Sequence, residues 1–363
     1  MSARPRRAIL LAAAMAVISA APATAQADLK ALPLGQGLPI LVRTGVYFAD
    51  VGALDESAET FDGTVDLRLR WKDARLRYPA ENTPKGFQDF RGPRAEEKLA
   101  EIWSPRVVLS NLDGEPALSE ISLRIFPEGQ VELMQRTRGI FAMSFDVEAF
   151  PFDVQKLAVE LASLRDNQEQ VMLDFRQEDV DFSRAASGIE IDGWTPGLVE
   201  LRRAPREVWY GESHSQIRAY LEMRRRLGTA VAPIFIPLLA SLLIPLTAIW
   251  MNKVRPDGTF EVEAFELANV IIGGLFAVIA LNFTVNAEYS TIGSSDNTVT
   301  RLFGLNYITL AVSLGIIIGL FRFSWVKRAF GGAVQEQLYL TLVWVVPLLV
   351  GATATALLLV AMA

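Results

Sequence analysis

Four long stretches without charged side chains constrain the fold of this chain more than any other feature. They cover about residues 229–251, 267–287, 302–321 and 338–361. Each is long enough for a helix to cross the roughly 30 Å hydrocarbon core of a bilayer. We therefore predict a transmembrane domain over residues 227–363.

The second stretch carries an unusual stripe of side chains. On a helix over residues 266–288, steps of three and four residues place polar, small and aromatic side chains on one face. This stripe consists of Glu266, Asn269, Gly273, Phe276, Ala280, Phe283 and Ala287. Such a face suits either close packing against a neighbouring helix through small residues or the wall of a water-filled pathway. The residues alone leave both interpretations open.

The N-terminus is typical of a secretory signal. Three arginines before residue 8 precede a short apolar run, and the small residues at 23–25 resemble a cleavage site. We predict a signal peptide over residues 1–25, because the apolar run is short for a membrane span, which is the alternative. The next domain then lies outside the cytoplasm, and four crossings return the C-terminus to that side. Arg322, Lys327 and Arg328 would be cytoplasmic, as the positive-inside rule prefers, whereas Arg224 to Arg226 would lie outside against that rule.

Residues 26–226 show a period of two. Apolar side chains alternate with polar ones over 65–71, 157–161 and 217–223, and turn signals lie at 111–114, 127–129 and 192–193. This pattern predicts an antiparallel β-sandwich. It ends directly at the first apolar stretch, so the two domains should be closely coupled.

The composition excludes several functional classes. Without cysteine, the chain has no disulfide, thiolate metal site or cysteine nucleophile, and the single His214 argues against Ser-His-Asp chemistry. A net charge of −6 without a basic stripe argues against a nucleic-acid partner. We find no catalytic constellation and predict no enzyme activity and no cofactor. The acid-rich segment from Glu178 to Asp181 is a candidate site for modulation by Ca²⁺.

The sequence Phe-Pro-Phe-Asp-Val-Gln at 150–155 is the most informative motif of the sandwich. Its simplest interpretation is a buried turn, because Pro151 fixes φ between the large apolar Phe150 and Phe152. The motif also resembles the signature loop of the pentameric ligand-gated ion channels, or Cys-loop receptors. Met143 and Leu157 stand where that loop has its two cysteines, as is typical of the prokaryotic branch of the family.

Further matches follow in the order of that family. They are Asp55-Glu56 as its acidic loop, Trp71-Lys72-Asp73, Ile102-Trp103-Ser104-Pro105, and Arg225 twelve residues before Pro237. Arg106 departs from the pattern, and the linker 252–265 is longer than usual, so it either lengthens the first membrane helix or forms a loop. The resemblance implies a periplasmic β-sandwich followed by a four-helix transmembrane bundle, assembled as a homopentamer around a central pore.

The resemblance also gives the stripe a role. Five copies of the second span would line the pore, with Glu266 as a ring at the cytoplasmic mouth that favours monovalent cations. Asn269 would be the narrow filter with Gly273 above it, and Phe276 and Phe283 would be apolar gates. A different anchoring of the alignment shifts these roles by two residues.

A charged contact at the domain junction is the second implication. In the family, the arginine before the membrane pairs with the acidic loop near the signature loop. We therefore expect Arg225 to contact Glu56 with Asp153 nearby, beside Phe150, Pro151 and Phe152, and to couple the domains. The alternative is a solvated basic cluster that faces lipid headgroups.

The ligand site is less regular than the resemblance suggests. Where the family has an aromatic box, this chain has Ser110, Leu164 and Asp66, and only Trp209 and Tyr210 offer aromatic surface. A cage for a cationic amine is not expected. Charged residues could instead form a pocket for a polar ligand, a proton or a divalent ion, the alternative being ordinary solvated faces. These residues are Asp66, Arg68, Arg165 and Asp166.

Together, these features predict a homopentameric cation channel of a Gram-negative inner membrane. Its partners would be membrane lipids, permeating monovalent cations and an unknown small ligand. A non-conducting periplasmic receptor or scaffold with the same fold is the alternative.

Overall fold

The computed structural model describes residues 28–255, 259–289, 293 and 295–362. The predicted signal peptide, residues 1–25, lies outside the described residues. The sandwich extends to Arg225, and the membrane helices begin at Leu227.

Two main sheets form the sandwich. Its strands are β1 (Ile40–Asp55), β2 (Thr60–Lys72), β3 (Gln88–Arg91), β4 (Val107–Leu109), β5 (Leu112–Ile125), β6 (Gln130–Ala142), β7 (Val154–Ser163), β8 (Val171–Asp174), β9 (Trp194–Arg203), β10 (Arg206–Glu207), β11 (Ser213–His214) and β12 (Gln216–Arg225). The sheets have the orders β3-β5-β6-β2-β1-β8 and β4-β7-β12-β9, and β10 pairs with β11. Pairing between these strands is antiparallel except for β1 with β8, which is parallel.

The predicted alternation corresponds to burial. The apolar residues at 65–71, 157–161 and 217–223 face the space between the sheets and are almost completely buried. Trp71 and Trp103, from two of the family-like motifs, meet there edge to face with ring centroids 6.2 Å apart. One continuous apolar core therefore joins the two sheets.

Local features of the sandwich differ from the sequence expectation. Two short helices, α1 (Pro93–Glu101) and α2 (Gln177–Phe182), lie inside the region predicted as all-β. They are too short for a helical period to stand out. The turns at 127–129 and 192–193 are present. The turn expected at 111–114 lies earlier, at 110–111, because β5 already begins at Leu112.

Helices make up most of the described chain after Arg226. Its helices are α3 (Leu227–Trp250), α4 (Ala264–Glu288), α5 (Thr298–Ile316), α6 (Trp325–Phe330) and α7 (Gly332–Met362), and a π-helical turn, Ile317–Arg322, extends α5. Within the described residues, four helices are long and apolar enough to cross a membrane: α3, α4, α5 with its extension, and α7. The start of α5 and the end of α7 lie beside the sandwich, because Thr298 and Met362 line one cavity together with Asp146. We call the end of the bundle next to the sandwich the sandwich end, and the opposite end the distal end.

The linker between α3 and α4 is a loop and does not lengthen α3. Val254 and Phe260 form an antiparallel bridge, and buried Asn252 accepts hydrogen bonds from the backbone N–H groups of Lys253 and Val262 at 3.0 Å. Phe260 packs on Phe321, with ring centroids 4.2 Å apart. The loop is thus folded against the distal end of the bundle.

Candidate functional site

Arg225 is the centre of the domain junction. Its Nε and Nη2 donate hydrogen bonds to the two carboxylate oxygens of Asp153 at 2.8 and 3.0 Å, and Nη1 donates to Glu56 at 3.1 Å. The side chains of Arg225 and Asp153 are 6% and 1% exposed, whereas that of Glu56 is 25% exposed. The contact expected from the sequence is therefore present, with Asp153 as the closer and more buried partner.

Aromatic rings complete the environment of this guanidinium. It lies 4.2 Å from the ring centroid of Trp194 and 5.0 Å from that of Phe150. Trp194 reaches this position because β9 pairs it with Arg225 on β12. Burial opposes the charge, but hydrogen bonds and attraction from Asp153, together with Glu56, outweigh it and raise the pKa of Arg225. A solvated basic cluster does not describe Arg225.

The signature-like loop, residues 143–157, reaches into the membrane domain. Phe150 is fully buried and stacks on Phe235 of α3, with ring centroids 6.3 Å apart. Val147 is buried in the same apolar cluster as helices α3, α4 and α5. The Phe150–Pro151 peptide is cis, and Phe152 is half-buried. The loop therefore connects the sandwich to the first membrane helix through its apolar side chains.

The side chain of Gln155 links Asp146 and Asp153 within this loop by hydrogen bonds. Its amide NH₂ donates to Asp153 at 2.7 Å and to the carbonyl of Asp146 at 2.5 Å, while its oxygen accepts from the N–H of Asp146 at 3.1 Å. Met143 and Leu157, at the positions of the family cysteines, are buried in the sandwich core. Hydrogen bonds and apolar burial thus hold the loop without a disulfide.

The stripe of α4 lies on the part of the helix that a single chain leaves uncovered, together with other exposed residues such as Phe265 and Ile272. Phe276 and Phe283 are 67% and 71% exposed, and every other member of the stripe is exposed as well. The opposite face, with buried Leu267, Ile271 and Val278, packs on the rest of the bundle.

Two neighbouring glycines distinguish these faces. A Cβ atom at Gly274 would lie 2.8 Å from Ile244 of α3 and 3.4 Å from Leu310 of α5, whereas Gly273 has no such neighbour within 4 Å among the described residues. The close helix packing of α4 within the chain therefore uses Gly274, which the stripe does not contain.

The residues proposed for a ligand pocket, apart from Arg68, lie in three places. Asp66 on β2 forms a two-bond ion pair with Arg136 on β6 at 2.7 and 2.8 Å. Arg165 and Asp166 are chain neighbours after β7 that bond to each other at 3.3 and 3.4 Å. Tyr210 is almost fully exposed in the β10–β11 hairpin, beside Trp209, whose side chain lies outside the described ones. The hairpin is bonded to the segment after β7, because Gln168 donates its backbone N–H to the carbonyl of Ser213 at 2.8 Å and His214 Nδ1 lies 2.7 Å from the carbonyl of Ser163. Among the described residues, no hydrogen bond or ion pair joins Asp66 to either of them.

Arg68 belongs to a different cluster, which surrounds the candidate Ca²⁺ segment. Asp179 of α2 is fully buried and accepts hydrogen bonds from Arg43 at 2.6 Å, Arg70 at 2.6 Å and Arg68 at 3.0 Å. Burial raises the pKa of this carboxyl, but the backbone N–H of Arg176 and the side chains of Arg43 and Arg70 reverse the effect and lower it. Three guanidinium groups thus bond to the carboxylate of Asp179. No group of three metal-ligating side chains occurs among the described residues.

Comparison with known proteins assigns the family. Residues 28–227 match the family model described as "Neurotransmitter-gated ion-channel ligand binding domain". The chain belongs to this family of pentameric ligand-gated ion channels. The resemblance inferred from the motifs is confirmed. Members of the family are ion channels and not enzymes, in agreement with the prediction that this chain is not an enzyme.

Relatives of this channel family occur in bacteria and animals. The chain is 24% identical to the "Proton-gated ion channel" of Gloeobacter violaceus over 252 residues, which are 69% of this chain and 64% of the relative. It is 23% identical to "Acetylcholine receptor subunit beta-type lev-1" of Caenorhabditis elegans over 304 residues, 81% of this chain and 56% of the relative. A "Gamma-aminobutyric acid receptor subunit rho-3" of Homo sapiens is 30% identical over 142 residues, 38% of this chain and 29% of the relative.

These relatives do not share one ligand. The chain spans 64% and 56% of the length of the first two, so the match does not extend over the whole of either protein. Their names mention a proton, acetylcholine and γ-aminobutyric acid. Family membership therefore indicates the architecture of this chain but not its agonist.

Sequence reasoning missed two residues of the junction. Gln155 was part of the motif, yet its role inside the loop depends on the fold of residues 146–155. Trp194 follows the turn at 192–193, and its position beside Arg225 depends on the register of β9 and β12. A search for aromatic residues on the strand that pairs with the last strand of the sandwich could have found it.

Proposed function

We propose that this chain forms a homopentameric, cation-selective ligand-gated channel in which α4 lines the pore. The periplasmic sandwich would respond to a small polar ligand, a proton or a divalent ion, and modulation by Ca²⁺ remains an additional prediction. The membrane would be the inner membrane of a Gram-negative cell.

The uncovered stripe of α4 is the observation that supports this proposal most directly. It carries Glu266 and Asn269 at its distal end and large aromatic side chains further along. Charged and amide side chains on a membrane helix are strongly disfavoured against lipid and are found facing water or protein. Because Gly274 already makes the close packing contact on the opposite face, a water-filled pathway explains the stripe better than packing within the chain.

Selectivity would follow from the position of Glu266. Five copies around an axis would form a ring of carboxylates that attracts cations and repels anions. Phe276 and Phe283 would form apolar constrictions that exclude water when the pore is narrow.

The buried junction supports coupling between sensor and pore. Arg225 ends β12, two residues before α3 begins. Its partners Asp153 and Glu56 lie on two loops of the sandwich. A displacement of either loop would disturb this desolvated ion pair, which lies directly before the first membrane helix. Such contacts are stronger than surface pairs, because little water screens them.

The course of the helices supports the proposed topology. Val360 and Met362, in the last turn of α7, line a cavity of about 430 Å³ together with Asp146 and Phe152 of the sandwich. This turn of α7 therefore lies on the same side of the bundle as the sandwich, and both would face the periplasm.

Ion flux through liposomes that contain the full chain tests conduction. Phe276→Ala should increase flux without any stimulus, because it removes the proposed apolar constriction. Ile272→Ala, also an exposed apolar residue of α4 but outside the stripe, is the matched control and should not. If no pH, Ca²⁺ or ligand condition produces flux, and Phe276→Ala produces none either, the non-conducting scaffold is the better description.

Reversal potentials in a salt gradient test selectivity separately. Glu266→Gln should shift the reversal potential towards zero, because the carboxylate ring is lost. An unchanged cation preference would place the selective element outside α4.

A further inference from the structure

A buried hydroxyl group joins α7 to the loop that precedes α4. Tyr339 lies about two turns after the start of α7 and is only 3% exposed. Its hydroxyl is within hydrogen-bond distance of two carbonyl oxygens, that of Ile249 at 3.1 Å and that of Asn252 at 2.6 Å. Ile249 belongs to the end of α3, and Asn252 to the start of the loop. The hydroxyl therefore connects α3, the loop and α7 at one point.

Asn252 carries this connection across the loop. Its side-chain oxygen accepts the backbone N–H of Val262 at 3.0 Å, and its NH₂ donates to the carbonyl of Val262 at 3.3 Å. The carbonyl of Lys253 accepts the N–H of Glu261 at 2.9 Å beside this pair. The side chain of Asn252 thus bonds to both backbone groups of one residue, as a neighbouring β-strand would. These bonds hold the two ends of the loop together.

Val262 lies directly before the first turn of α4. Glu263 is the N-cap residue of this helix, and its side chain forms no capping hydrogen bond with the described residues. The N–H of Glu266 bonds to the carbonyl of Glu263 at 3.2 Å and so begins the helix. A helix end without a side-chain cap depends on the preceding chain for the position of its first turn. Besides the packing of buried Leu267, the bonds between Asn252 and Val262 supply that support.

Aromatic packing surrounds the same loop. The ring centroid of Phe260 lies 4.2 Å from that of Phe321 and 5.3 Å from that of Tyr339, and Phe321 lies 5.6 Å from Tyr339. Phe321 belongs to the π-helical turn that extends α5, a rare geometry that occurs frequently at functional sites. The three rings exclude water from the hydroxyl of Tyr339. Hydrogen bonds are stronger in such surroundings than in water.

The ring and the hydroxyl of Tyr339 do different things. Burial of the ring stabilises the bundle through apolar contacts, which have no preferred direction. The hydroxyl bonds are directional, so they fix where the loop lies relative to α7. Because much of α7 is exposed on the surface of the bundle, the connection runs from an outer helix to the start of α4.

We propose that Tyr339 and Asn252 are positioning residues of the channel, which fix the first turn of α4 and with it the place of Glu266. This inference rests on the proposed function, in which five copies of α4 line the pore. Salt screens charges beyond about 8–10 Å, so a carboxylate ring acts on ions at short range. Its selectivity therefore depends on where the first turn of α4 holds the five carboxylates. Arg225 and the sandwich lie at the opposite end, so the stimulus that opens the channel does not depend on this connection.

Reversal potentials of the full chain in liposomes test the positioning role. Tyr339→Phe removes the hydroxyl and keeps the aromatic packing, and Asn252→Ala removes the bonds to Val262. Each should shift the reversal potential in a salt gradient towards zero, by less than Glu266→Gln does. Tyr307→Phe is the matched control, because Tyr307 is a half-buried tyrosine of α5 that forms no hydrogen bond with the described part of the loop. It should leave the reversal potential unchanged.

Hydrogen exchange gives a second measurement that needs no current. In Tyr339→Phe and in Asn252→Ala, the amides of Lys253 and Val262 should exchange about two- to tenfold faster, the range expected for one lost hydrogen bond. The double variant should exchange no faster than Asn252→Ala alone, because both changes act through one connection. Tyr307→Phe should leave these amides unaffected.

The outcomes separate this inference from the proposed function. Faster exchange together with a shifted reversal potential supports the positioning role. Faster exchange with an unchanged reversal potential would overturn it, and so would unchanged exchange in Tyr339→Phe. If Glu266→Gln shifts the reversal potential while Tyr339→Phe and Asn252→Ala do not, the selective ring stands and only the positioning role is wrong. If Glu266→Gln has no effect either, the ring is assigned incorrectly and the positioning role fails with it.

Discussion

The basic residues at the two ends of the membrane bundle have opposite environments. At the sandwich end, Arg225 is buried, bonded to Asp153 and Glu56, and covered by two aromatic rings. At the distal end, Arg322 and Lys327 are exposed and have no acidic partner among the described residues. The paired charge holds the domains together, whereas the exposed charges at the distal end make no side-chain contact within the described chain.

This contrast predicts the largest effect at Arg225. Arg225→Gln leaves the buried carboxylate of Asp153 without its positively charged partner, and breaking a buried pair in this way costs about 3–5 kcal/mol. Denaturation of the solubilised full chain should show the loss. Arg224→Gln is the matched control, because Arg224 is 69% exposed and lies 3.8 Å from Glu222; we expect about 0–1 kcal/mol there.

Functional coupling should follow the same geometry. In double-mutant cycles on gating, Arg225 should couple more strongly to Asp153 than to Glu56, which is more exposed and accepts one hydrogen bond from Arg225. Absence of coupling to both carboxylates would separate the junction from gating and remove the contrast between the ends.

The sandwich contains a second cluster of paired charges, around Asp179. The stability of the sandwich should therefore fall at low pH. The pKa of Asp179 is lowered in the folded state from an ordinary value near 3.8. Its contribution to stability is therefore present above that value and is lost as the pH falls through the lower, folded-state pKa. Unfolding midpoints between pH 6 and about pH 2 should show this loss for the unmodified chain. The loss should become smaller in Asp179→Asn but not in Asp181→Asn, whose carboxylate bonds only to Gln177 among the described residues.

A smaller effect distinguishes the two faces of α4. Gly274→Ala forces a methyl group to within 2.8 Å of Ile244, and such overpacking costs about 1–3 kcal/mol. Gly273→Ala meets no described atom within 4 Å in the chain and should leave the stability of a detergent-solubilised single chain nearly unchanged. Equal effects of the two substitutions would mean that the packing face of α4 has been assigned incorrectly.

The smallest effect is expected at the distal end. Arg322→Gln should change the stability of the lipid-free chain by only about 0.5 kcal/mol, because an exposed, unpaired side chain is removed. A large loss of stability without lipid would show that Arg322 has a structural partner, and the contrast would fail.

Much of the architecture follows from local patterns. The period of two at 65–71 and 217–223 predicted which side chains fill the sandwich core, and four uncharged stretches predicted the membrane helices. The resemblance of 150–155 and Arg225 to a known family predicted the contact between Arg225 and Glu56. Short helices such as α2 were missed, because six residues are too few for a helical period to be recognised.

The sequence by itself determined the order of domains, the membrane helices, the stripe on α4 and the identity of the charges at the junction. Only the tertiary structure decided that Gly274 makes the close helix contact, that Trp194 covers Arg225, that Gln155 closes the loop and that three arginines surround Asp179. It also placed the hydroxyl of Tyr339 beside the carbonyl of Asn252. The physical reason is that periodicity belongs to neighbouring residues, whereas these contacts depend on strand register and helix crossing between distant segments. The sequence indicated that Arg225 is paired at the sandwich end, whereas only the fold showed that Arg322 and Lys327 are unpaired among the described residues at the distal end.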